Sequence, residues 1–367
     1  MKVYYIQPFE SNAFGHGGEK RSFQIEAFFS DLGITLEKVE LKIPQDRSRW
    51  QRLLFLVSNF RYILSLKLYI QSKWHIQELS RNLMFATSQL PTLPSNSVVV
   101  YEHSIKSNWF IPILLAQQGC RVIALPHNLE SLVPNQKSGL GVIDNPFGFF
   151  EEIAALRSSD LVLTISKEES WLLNLFGIRS LYFPYLPSSE EYTILNRIAK
   201  ERTERKLNRQ FLIFGSVSNP PTFKGMVELL RFLQANQNEE QVFHIVGFHS
   251  ERLKSEIEFS SRFQFHGAVS TDELYRLYAL VDGAIIHQTP STGALTKIPE
   301  LLSAHVPVIC NVFGARNYFN FQDVYVYQSL TELPAILGQL NSEWHADFHP
   351  DMDLTFIQRS IINLINS

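Results

Sequence analysis

The stretch TPSTGALTKIPELLSAHVPVIC (289–310) joins a glycine-containing loop to a short helix and then to a strand. Gly293 lies in the loop, an apolar helical run begins near Leu301, and the β-branched segment 306–309 follows it. The run GAII (283–286) just before the loop has the composition of another buried strand. Strand, helix and strand in this order form the unit from which parallel sheets are built. The stretch therefore predicts an α/β fold with a parallel sheet.

The same alternation extends over the whole chain, in two series. The first half contains short β-rich runs at 2–7, 35–41, 97–102, 121–125, 160–166 and 180–183. The second half contains further runs at 211–214, 242–246, 262–265, 283–286, 306–310 and 323–327. Helical stretches separate the strands, notably 18–31, 50–85, 105–118 and 167–176. Apolar strands that alternate with helices are typical of parallel sheets covered on both faces, so two series predict two Rossmann-like domains.

The predicted organisation is two α/β domains whose parallel sheets face a central cleft. We expect an N-terminal Rossmann-like domain over 1–188, a C-terminal Rossmann-like domain over 189–345, and a C-terminal helix at 346–367 that packs back on the first domain. The stretch 188–209 is polar, dense in charge and poor in large apolar groups, which makes it the candidate linker. Because open α/β sheets bind ligands beyond the carboxyl ends of their strands, residues directly after each strand are the candidates for binding.

Composition and charge exclude several classes of protein. The 367 residues are 45% hydrophobic and 19% charged, which is typical of globular proteins, and the net charge of −3 gives no basis for a nucleic-acid partner. Cys120 and Cys310 are the only cysteines, so we expect a reducing cytoplasm, no disulfide and no cysteine-based metal site. The N-terminus MKVYYIQPFE lacks a signal-peptide core, and no apolar run reaches the ~18–20 residues of a membrane span. We therefore expect a cytoplasmic protein, at most peripheral to a membrane.

The helix start at Lys297 has the residues needed to bind a phosphate and a ribose. The loop before it presents backbone N–H groups and the positive end of a helix dipole, which suit a phosphate, and Lys297 adds a full positive charge. Glu300, three residues later, can accept hydrogen bonds from a diol such as a ribose. A solvated helix start with an acid in its first turns is the simpler interpretation. The order Gly293, Lys297, Glu300 favours a nucleotide site.

The segment FGSVSNPPTFKG (214–225) resembles a second phosphate-binding loop. The strand ends at Gly215, Ser216 opens a proline-containing loop, and Lys224 is expected to begin the next helix. A lysine at a helix N-terminus opposes the dipole, which is unfavourable unless an anion binds there. We therefore expect this loop to bind a ligand.

Glycines also follow the first predicted strand, in the sequence GHGGEKR (15–21). Gly17 and Gly18 allow the backbone to approach a ligand closely, and Arg21 lies one turn into the helix that follows. The motif is not GxGxxG, so it does not predict a dinucleotide site. A simple tight turn explains the glycines equally well.

Two further strands of the first half end in polar residues. The strand at 121–125 leads through LPHNLES to His127, and the strand at 97–102 ends in YEHS, with Glu102 and His103. A lone histidine is more often structural than functional. A histidine at the carboxyl end of a strand and before a polar loop is nevertheless a candidate for ligand binding.

The segment 47–77 is basic and rich in aromatic residues. Its basic residues are Arg47, Arg49, Arg52, Arg61, Lys67 and Lys73, its aromatic residues include Trp50, Phe55, Phe60, Tyr62 and Trp74, and it contains no acid. A helical stretch of this kind is typical of a segment that lies on an anionic membrane surface. An ordinary helix with a basic outer face is the alternative. We expect a peripheral contact with an anionic membrane through 47–77.

Taken together, these motifs resemble the retaining glycosyltransferases of the GT-B fold, in particular the group 1 or GT4-type family. FHGAVSTDELYRLYALVDGAII (265–286), running into 289–310, is similar to the family's G-x-v-s-x-x-e-L-x-x-l-y-x-x-a-D followed by G-[ST]-x-x-x-K-x-x-E-x-l-x-x-x-x-P-V-I. SSDLVLTISKEES (158–170) is similar to a-D-x-v-x-t-x-S-x-x-E, and YFPYLP (182–187) stands where the family leaves its N-terminal domain. The resemblance covers most of the chain.

The resemblance implies roles for the candidate residues. Glu300 matches the second glutamate of the family's E-x7-E motif, which holds the nucleotide ribose, and Lys224 matches a lysine that contacts the donor diphosphate. Gly18 would lie near the donor phosphate and the acceptor, and His127 near the transferred sugar. The implied catalytic residues are His127, Lys224 and Lys297. The implied donor-binding residues are Gly18, Gly215, Ser216, Lys224, Thr292, Gly293, Ala294, Lys297 and Glu300, and the implied acceptor-binding residues are Gly17, Arg21, Glu102 and His103.

Two positions depart from the family pattern. The first glutamate of E-x7-E falls on Thr292, and the arginine that commonly follows the strand-end glycine is Ser216. Lys297 can supply the missing positive charge. Thr292 offers fewer acceptors for sugar hydroxyls, so the sequence does not specify the donor sugar.

The resemblance implies transfer of a sugar from a nucleotide-diphosphate sugar to an acceptor hydroxyl with retention, in bacterial polysaccharide, lipid-linked oligosaccharide or glycolipid assembly. The domain 1–188 would bind a glycan or lipid-linked acceptor, and 189–345 the nucleotide sugar. No cofactor and no metal are expected, because lysines and helix N-termini can stabilise the leaving diphosphate. Three alternatives stay open: a nucleotide-sugar epimerase, an inverting transferase with His127 or Glu102 as its base, and a catalytically silent GT-B homologue that acts as a binding partner.

Overall fold

The structure is a computed structural model of the chain. It describes residues 2–42, 48–65, 73–104, 108–133, 148–236, 240–258, 260–340 and 353–367. The chain divides into two compact units, Met1–Pro184 together with Asp351–Ser367, and Tyr185–Pro350. The domain boundary expected at 345 lies outside the described residues.

The first unit is built on a six-stranded parallel sheet. Its strands are β1 (Val3–Ile6), β2 (Leu36–Lys38), β3 (Val98–His103), β4 (Arg121–Pro126), β5 (Leu161–Thr164) and β6 (Ser180–Tyr182). They pair in the order β2-β1-β3-β4-β5-β6, and every pair is parallel. The helices are α1 (Gly17–Asp31), α2 (Arg49–Ser65), α3 (Lys73–Gln89), α4 (Phe110–Gln117), α5 (Phe149–Arg157), α6 (Lys167–Leu175) and the C-terminal helix (Leu354–Asn366).

Helices cover both faces of this sheet. Along β1, Val3 and Tyr5 pack against α1 and the C-terminal helix, whereas Tyr4 and Ile6 pack against α3 and α4. Successive side chains of a strand point to opposite faces, so a strand with two covered faces must be apolar at every position. This is the physical reason for the continuous apolar runs in the sequence.

The second unit has the same architecture. Its strands are β7 (Gln210–Phe214), β8 (Val242–Val246), β9 (Phe263–Gly267), β10 (Gly283–Ile286), β11 (Val308–Asn311) and β12 (Val324–Tyr327). They form a six-stranded parallel sheet in the order β12-β11-β10-β7-β8-β9. The helices are α7 (Ser189–Thr203), α8 (Pro220–Ala235), α9 (Thr271–Leu280), α10 (Lys297–Ser303), α11 (Val312–Ala315) and α12 (Leu333–Gln339). Phe211 and Ile213 of β7 pack against α8 and α12, and Leu212 packs on the opposite side with α7, α9 and α10.

The predicted α/β fold with two Rossmann-like parallel sheets is confirmed, and a strand occurs in each of the predicted β-rich runs. The stretch proposed as a linker is instead helix α7. The Ser188 hydroxyl caps this helix by accepting from Glu191 N, and the helix buries a narrow stripe that includes Leu195 and Ile198. The remaining surface is charged, which made the stretch resemble a linker. Within the described residues, no helix is both long and apolar enough to cross a membrane.

Candidate functional site

Strand order fixes where a ligand can bind in the second unit. From β7 the chain builds outward through β8 and β9, then returns to place β10 on the other side of β7. The direction of chain progression therefore reverses between β7 and β10, and open α/β sheets bind ligands at the carboxyl ends of such a strand pair. The loop after β7 begins with Gly215, and the loop after β10 leads to Lys297. Both predicted phosphate-binding loops thus lie at this edge.

Glycines allow the backbone segments at this edge to approach one another closely. A Cβ on Gly247, which has φ of +148°, would lie 1.9 Å from the Gly215 carbonyl oxygen. A Cβ on Gly225 would lie 2.1 Å from the His287 carbonyl oxygen. Neither position accepts another residue without displacement of the backbone. These contacts hold the loop after β8 against the loop after β7, and α8 against the loop after β10.

Lys297 links the start of α10 to the carboxyl end of β7. Its Nζ donates to the Phe214 carbonyl oxygen at 2.6 Å and lies 4.8 Å from the centre of the Phe214 ring. Burial lowers the pKa of Lys297 from 10.5 to about 8; Glu300 opposes this decrease and Arg316 adds to it. The ammonium group is therefore less stable in its charged form here than in water. A bound anion would reverse that penalty.

Arg316, which the sequence did not indicate, holds the loop that precedes α10. Its Nε donates to the Gly293 carbonyl oxygen at 2.8 Å, and a terminal nitrogen donates to the Thr292 carbonyl oxygen at 2.9 Å. Gly293 has φ of +74°, a left-handed conformation that glycine adopts without strain. Ala294 follows, partly buried. Arg316 thus shapes the loop and adds a second positive charge close enough to influence Lys297.

Glu300 is buried in a network of carboxylates and tyrosines. It is 4% exposed, and its Oε1 lies 3.5 Å from the Tyr185 hydroxyl. That hydroxyl also lies 3.2 Å from Oε2 of Glu191, and the Tyr275 hydroxyl donates to Glu191 Oε1 at 2.9 Å. Burial and the neighbouring carboxylates raise the pKa of both tyrosines, so their hydroxyls stay protonated. Sequence patterns did not indicate Tyr185, Glu191 or Tyr275.

Lys224 does not begin its helix. Helix α8 starts at Pro220, so Lys224 is its fifth residue, and its side chain is exposed. Prolines are common in the first turn of a helix because their fixed φ fits and their missing N–H is not needed there. The argument that an anion must offset an unfavourable helix dipole therefore does not apply to Lys224. Its contact with the diphosphate, like that of the exposed Ser216, stays a prediction.

Glu102 and His127 meet at the corresponding edge of the first unit. There the strand order reverses between β1 and β3. The buried Glu102 carboxylate, on β3, accepts from the Tyr5 hydroxyl at 2.5 Å and from the Ser22 hydroxyl at 2.8 Å, and it pairs with His127 Nε2. Two elements, β1 and α1, and the loop after β4 thus contact one carboxylate that β3 carries.

This pair orients the His127 ring. When the carboxylate accepts from Nε2–H, Nδ1 of that tautomer is left to accept a hydrogen bond. The Phe9 ring lies 5.4 Å from the His127 ring, between centroids. A histidine oriented by a carboxylate in this way can accept a proton or a hydrogen bond from a hydroxyl.

His103 points away from this pair, because neighbouring residues of a strand face opposite sides of the sheet. Its Nε2 lies 3.6 Å from Glu152 Oε1, and both side chains are buried. Glu152 also accepts from the backbone N–H groups of Glu130 and Ser131, at 2.8 and 3.0 Å. His103 thus contacts the carboxylate that holds the loop after β4. Its acceptor-binding role stays a prediction.

The glycine loop of the first unit forms a capped helix start. The His16 Nδ1 accepts from Gly18 N at 3.1 Å, and the Glu19 side chain accepts from His16 N at 2.9 Å. Gly17 is the first residue of α1, and a Cβ on Gly18 would lie 2.8 Å from the Phe9 ring. The glycines therefore serve a tight turn, and their ligand contacts stay predictions.

Arg21 is buried and directed at the backbone that follows β6. Its guanidinium donates to the Phe183 carbonyl oxygen at 2.6 Å and to the Pro184 carbonyl oxygen at 3.0 Å. It also lies 4.6 Å from the centre of the Phe183 ring. These contacts stabilise the end of the first unit, and contact of Arg21 with an acceptor stays a prediction.

Within the described ranges, no group of three or more His, Cys, Asp or Glu side chains is arranged to hold a metal ion.

Solved structures share the fold of this chain. TarM superposes with a TM-score of 0.64 at 10% identity, over 100% of this chain and 99% of that one. Trehalose-6-phosphate synthase from E. coli, bound with UDP-2-fluoro glucose, gives a TM-score of 0.59 at 11% identity, over 100% and 95%. A trehalose-6-phosphate synthase studied with bisubstrate glycomimetics of glycosyl transfer with retention gives 0.58 at 11% identity, again over 100% and 95%.

These proteins are GT-B glycosyltransferases, and the two Rossmann-like units of this chain match their fold. No protein-family model matches the sequence, and a comparison with curated proteins by sequence gives no match. At these identities the similarity is one of fold. Membership of the narrower GT4-type family stays a prediction.

Proposed function

We propose that the protein is a glycosyltransferase that moves a sugar from a nucleoside-diphosphate sugar to an acceptor hydroxyl with retention at the anomeric carbon. One observation carries the proposal: Lys297 and Glu300 open a helix at the point where the strand order of the second unit reverses. A cation and a buried carboxylate at this position suit a diphosphate and a ribose. The GT-B fold and a relative of that fold bound with UDP-2-fluoro glucose support the same function.

The diphosphate would bind between the loops after β7 and β10. Lys297 and Arg316 provide positive charge there, and the close approach of Gly215 and Gly247 holds the loops after β7 and β8 together. Burial makes the charged form of Lys297 unfavourable in the unliganded protein. A bound phosphate would stabilise the charged ammonium group and raise its pKa again. Glu300, one turn into α10, would accept hydrogen bonds from the ribose hydroxyls.

The chemical step would depend on stabilising the leaving diphosphate. Charge develops on its oxygens as the glycosidic bond breaks, and Lys297, Arg316 and Lys224 are the cationic groups assigned to it. Loss of one such group from a preorganised site lowers turnover by about 10²- to 10³-fold. In a retaining front-face reaction the leaving phosphate oxygen takes the proton of the acceptor hydroxyl, so neither a metal nor a protein base is required.

The acceptor would bind at the carboxyl edge of the first unit. His127, held by Glu102, offers its Nδ1 as a hydrogen-bond acceptor to a sugar or acceptor hydroxyl. A glycan or lipid-linked acceptor provides such hydroxyls. On this basis we propose a role in polysaccharide, lipid-linked oligosaccharide or glycolipid assembly in the cytoplasm.

The Glu102–His127 pair also favours a second candidate function, an inverting transferase. Inversion requires a base that takes the acceptor proton, and a histidine oriented by a buried carboxylate is a group of that kind. His127 would then be that base. The two candidates differ in the configuration of the product, which can be measured directly.

The test is turnover of a panel of sugar nucleotides (UDP-, GDP-, ADP- and dTDP-sugars), with and without a set of glycan and lipid-linked acceptors. We expect one donor to release its nucleoside diphosphate only with an acceptor, and proton NMR to show a product with the anomeric configuration of the donor. Inverted product would support the second candidate. A changed sugar nucleotide without acceptor would identify an epimerase, and nucleotide binding without turnover a silent homologue.

Helix α2 has an exposed apolar face, which supports the proposed membrane contact. Trp50, Leu54 and Val57 are 75%, 67% and 69% exposed and lie on one side of the helix, while Phe55 packs on the core of the first unit. Arg61 is exposed as well. Arg47 and Lys67 of the basic segment lie outside the described residues. Apolar side chains beside cations suit the surface of an anionic bilayer.

Vesicle co-sedimentation tests this contact. We expect the protein to pellet with vesicles that contain phosphatidylglycerol and to stay in solution with pure phosphatidylcholine. The variant Leu54→Glu/Val57→Glu should lose binding, whereas Leu207→Glu, at an exposed apolar residue of the second unit, should keep it. Equal binding to both kinds of vesicle, or full binding by the double variant, would refute the contact.

A further inference from the structure

The second unit buries two carboxylates close to one hydroxyl. Glu191 is 0% exposed and Glu300 is 4% exposed. The Tyr185 hydroxyl lies 3.2 Å from Oε2 of Glu191 and 3.5 Å from Oε1 of Glu300. Burial of a charged carboxylate is unfavourable unless hydrogen bonds compensate for lost hydration. Because Glu300 follows a strand at the edge of the sheet where a ligand would bind, this cluster is a candidate for a functional role.

Each member of this network is held from a different element. The Ser188 hydroxyl accepts from Glu191 N and fixes the start of α7, on which Glu191 is carried. Tyr275, on α9, donates to the other oxygen of Glu191 at 2.9 Å. Tyr185 precedes α7, and Glu300 lies on α10. Glu191 thus has a fixed position, and Tyr185 connects that fixed point to Glu300.

We propose that Tyr185 is a positioning residue for ribose recognition: its single hydroxyl hydrogen, shared between the Glu191 and Glu300 carboxylates, holds Glu300 in the orientation that accepts the ribose hydroxyls. The inference rests on the proposed nucleotide site and adds a residue that determines its preference for a ribose. A glutamate side chain has three rotatable bonds, whereas a buried tyrosine has two and is rigid. The contact with Tyr185 therefore reduces the number of conformations that the Glu300 side chain adopts before a ribose binds.

The test compares ribonucleotides with their 2′-deoxy analogues. The dissociation constants of UDP, GDP and ADP, and of the 2′-deoxy form of each, are measured by calorimetry on wild type, Tyr185→Phe and Glu300→Gln. The matched control is Tyr278→Phe. Tyr278 is also a buried tyrosine of the second unit, and its hydroxyl has no hydrogen-bond partner among the described residues. Thermal unfolding of each variant checks that the fold is intact.

We expect wild type to bind its preferred ribonucleotide about tenfold or more tightly than the 2′-deoxy form, because a hydrogen bond to a charged group is lost. Tyr185→Phe should lower this ratio by about threefold to tenfold, Glu300→Gln should lower it further, and Tyr278→Phe should leave it unchanged. A purely structural role of Tyr185 would weaken both nucleotides equally and leave the ratio intact.

The outcomes separate this inference from the function on which it rests. No binding by any nucleotide, or a ratio that Glu300→Gln does not change, would overturn the nucleotide site itself and the inference with it. A ratio that falls in Glu300→Gln but not in Tyr185→Phe would overturn only the inference. An equal fall in Tyr278→Phe would also overturn it, because the effect would then belong to the whole tyrosine cluster.

Discussion

Replacement of Lys297 by methionine should separate ligand binding from stability. Lys297 is partly buried, and its charge is unfavourable in the unliganded protein, because burial lowers its pKa from 10.5 to about 8. A shift of this size corresponds to about 3 kcal/mol for holding the proton at neutral pH. Methionine has a similar length and volume but no charge. The substitution therefore removes an unfavourable charge and, with it, the hydrogen bond to the Phe214 carbonyl oxygen.

The two effects on stability have opposite signs. Loss of the charge stabilises Lys297→Met by up to about 3 kcal/mol, and loss of a partner for a carbonyl oxygen costs about 1–3 kcal/mol. We therefore expect the free energy of unfolding to be equal to that of wild type or higher by about 1–2 kcal/mol. Affinity for a nucleoside diphosphate should fall by about tenfold or more, because a charge-assisted contact to phosphate is lost.

The pH dependence of binding tests the same charge. Diphosphate favours the protonated Lys297, so wild-type affinity should fall as pH rises through about 8, and Lys297→Met should not show this decrease. In the unliganded protein, stability changes with pH in the opposite direction to affinity. Between pH of about 8 and 10.5 the unfolded state binds more protons than the folded state, so Lys297 makes the free energy of unfolding rise with pH. Calorimetry and denaturant unfolding of wild type, Lys297→Met and the exposed-site control Lys200→Met measure both. Strong destabilisation with unchanged diphosphate affinity would refute the assignment of Lys297.

Three further substitutions test other parts of the account. Tyr278→Phe removes a buried hydroxyl without a hydrogen-bond partner in the described part of the chain, and should leave stability unchanged or raise it by up to about 1 kcal/mol in thermal unfolding. Gly247→Ala should destabilise by about 2–4 kcal/mol, since its Cβ would lie 1.9 Å from the Gly215 carbonyl oxygen, and a stability equal to wild type would contradict this contact. Glu102→Gln should lower sugar transfer by about tenfold or more without changing nucleoside diphosphate affinity, because it disturbs the orientation of His127 in the first unit.

The strands were predictable because one physical constraint determines them. Both faces of each sheet are covered, so apolar residues occupy consecutive positions, and this pattern is visible in a single sequence. Helix α7 was missed because it buries only a narrow stripe, and its charged outer surface dominates its composition. Helix α8 starts at Pro220, four residues before the start that the loop-like composition predicts, because the prolines at 220 and 221 form its first turn.

The candidate site was only partly predictable, because its residues come from distant parts of the sequence. Lys297 and Glu300 were found because they lie together after a strand, where α/β sheets bind ligands. Arg316 follows the next strand and reaches back to the loop at Thr292, a contact that no local pattern encodes. The contact of Tyr185 with Glu300 spans 115 positions of sequence and depends on how α7 and α10 pack. Long-range contacts of this kind become visible only in the folded chain.

The central claim is that the second unit binds a nucleoside diphosphate through Lys297 and Glu300. A calorimetric binding panel of UDP, GDP, ADP, CMP and dTDP on wild type and Glu300→Ala tests it most directly. The account predicts that one diphosphate binds selectively to wild type and that Glu300→Ala binds it at least about tenfold more weakly, while thermal unfolding shows that the variant is folded. Absence of binding by every nucleotide, or equal affinity in a folded Glu300→Ala, would contradict the account.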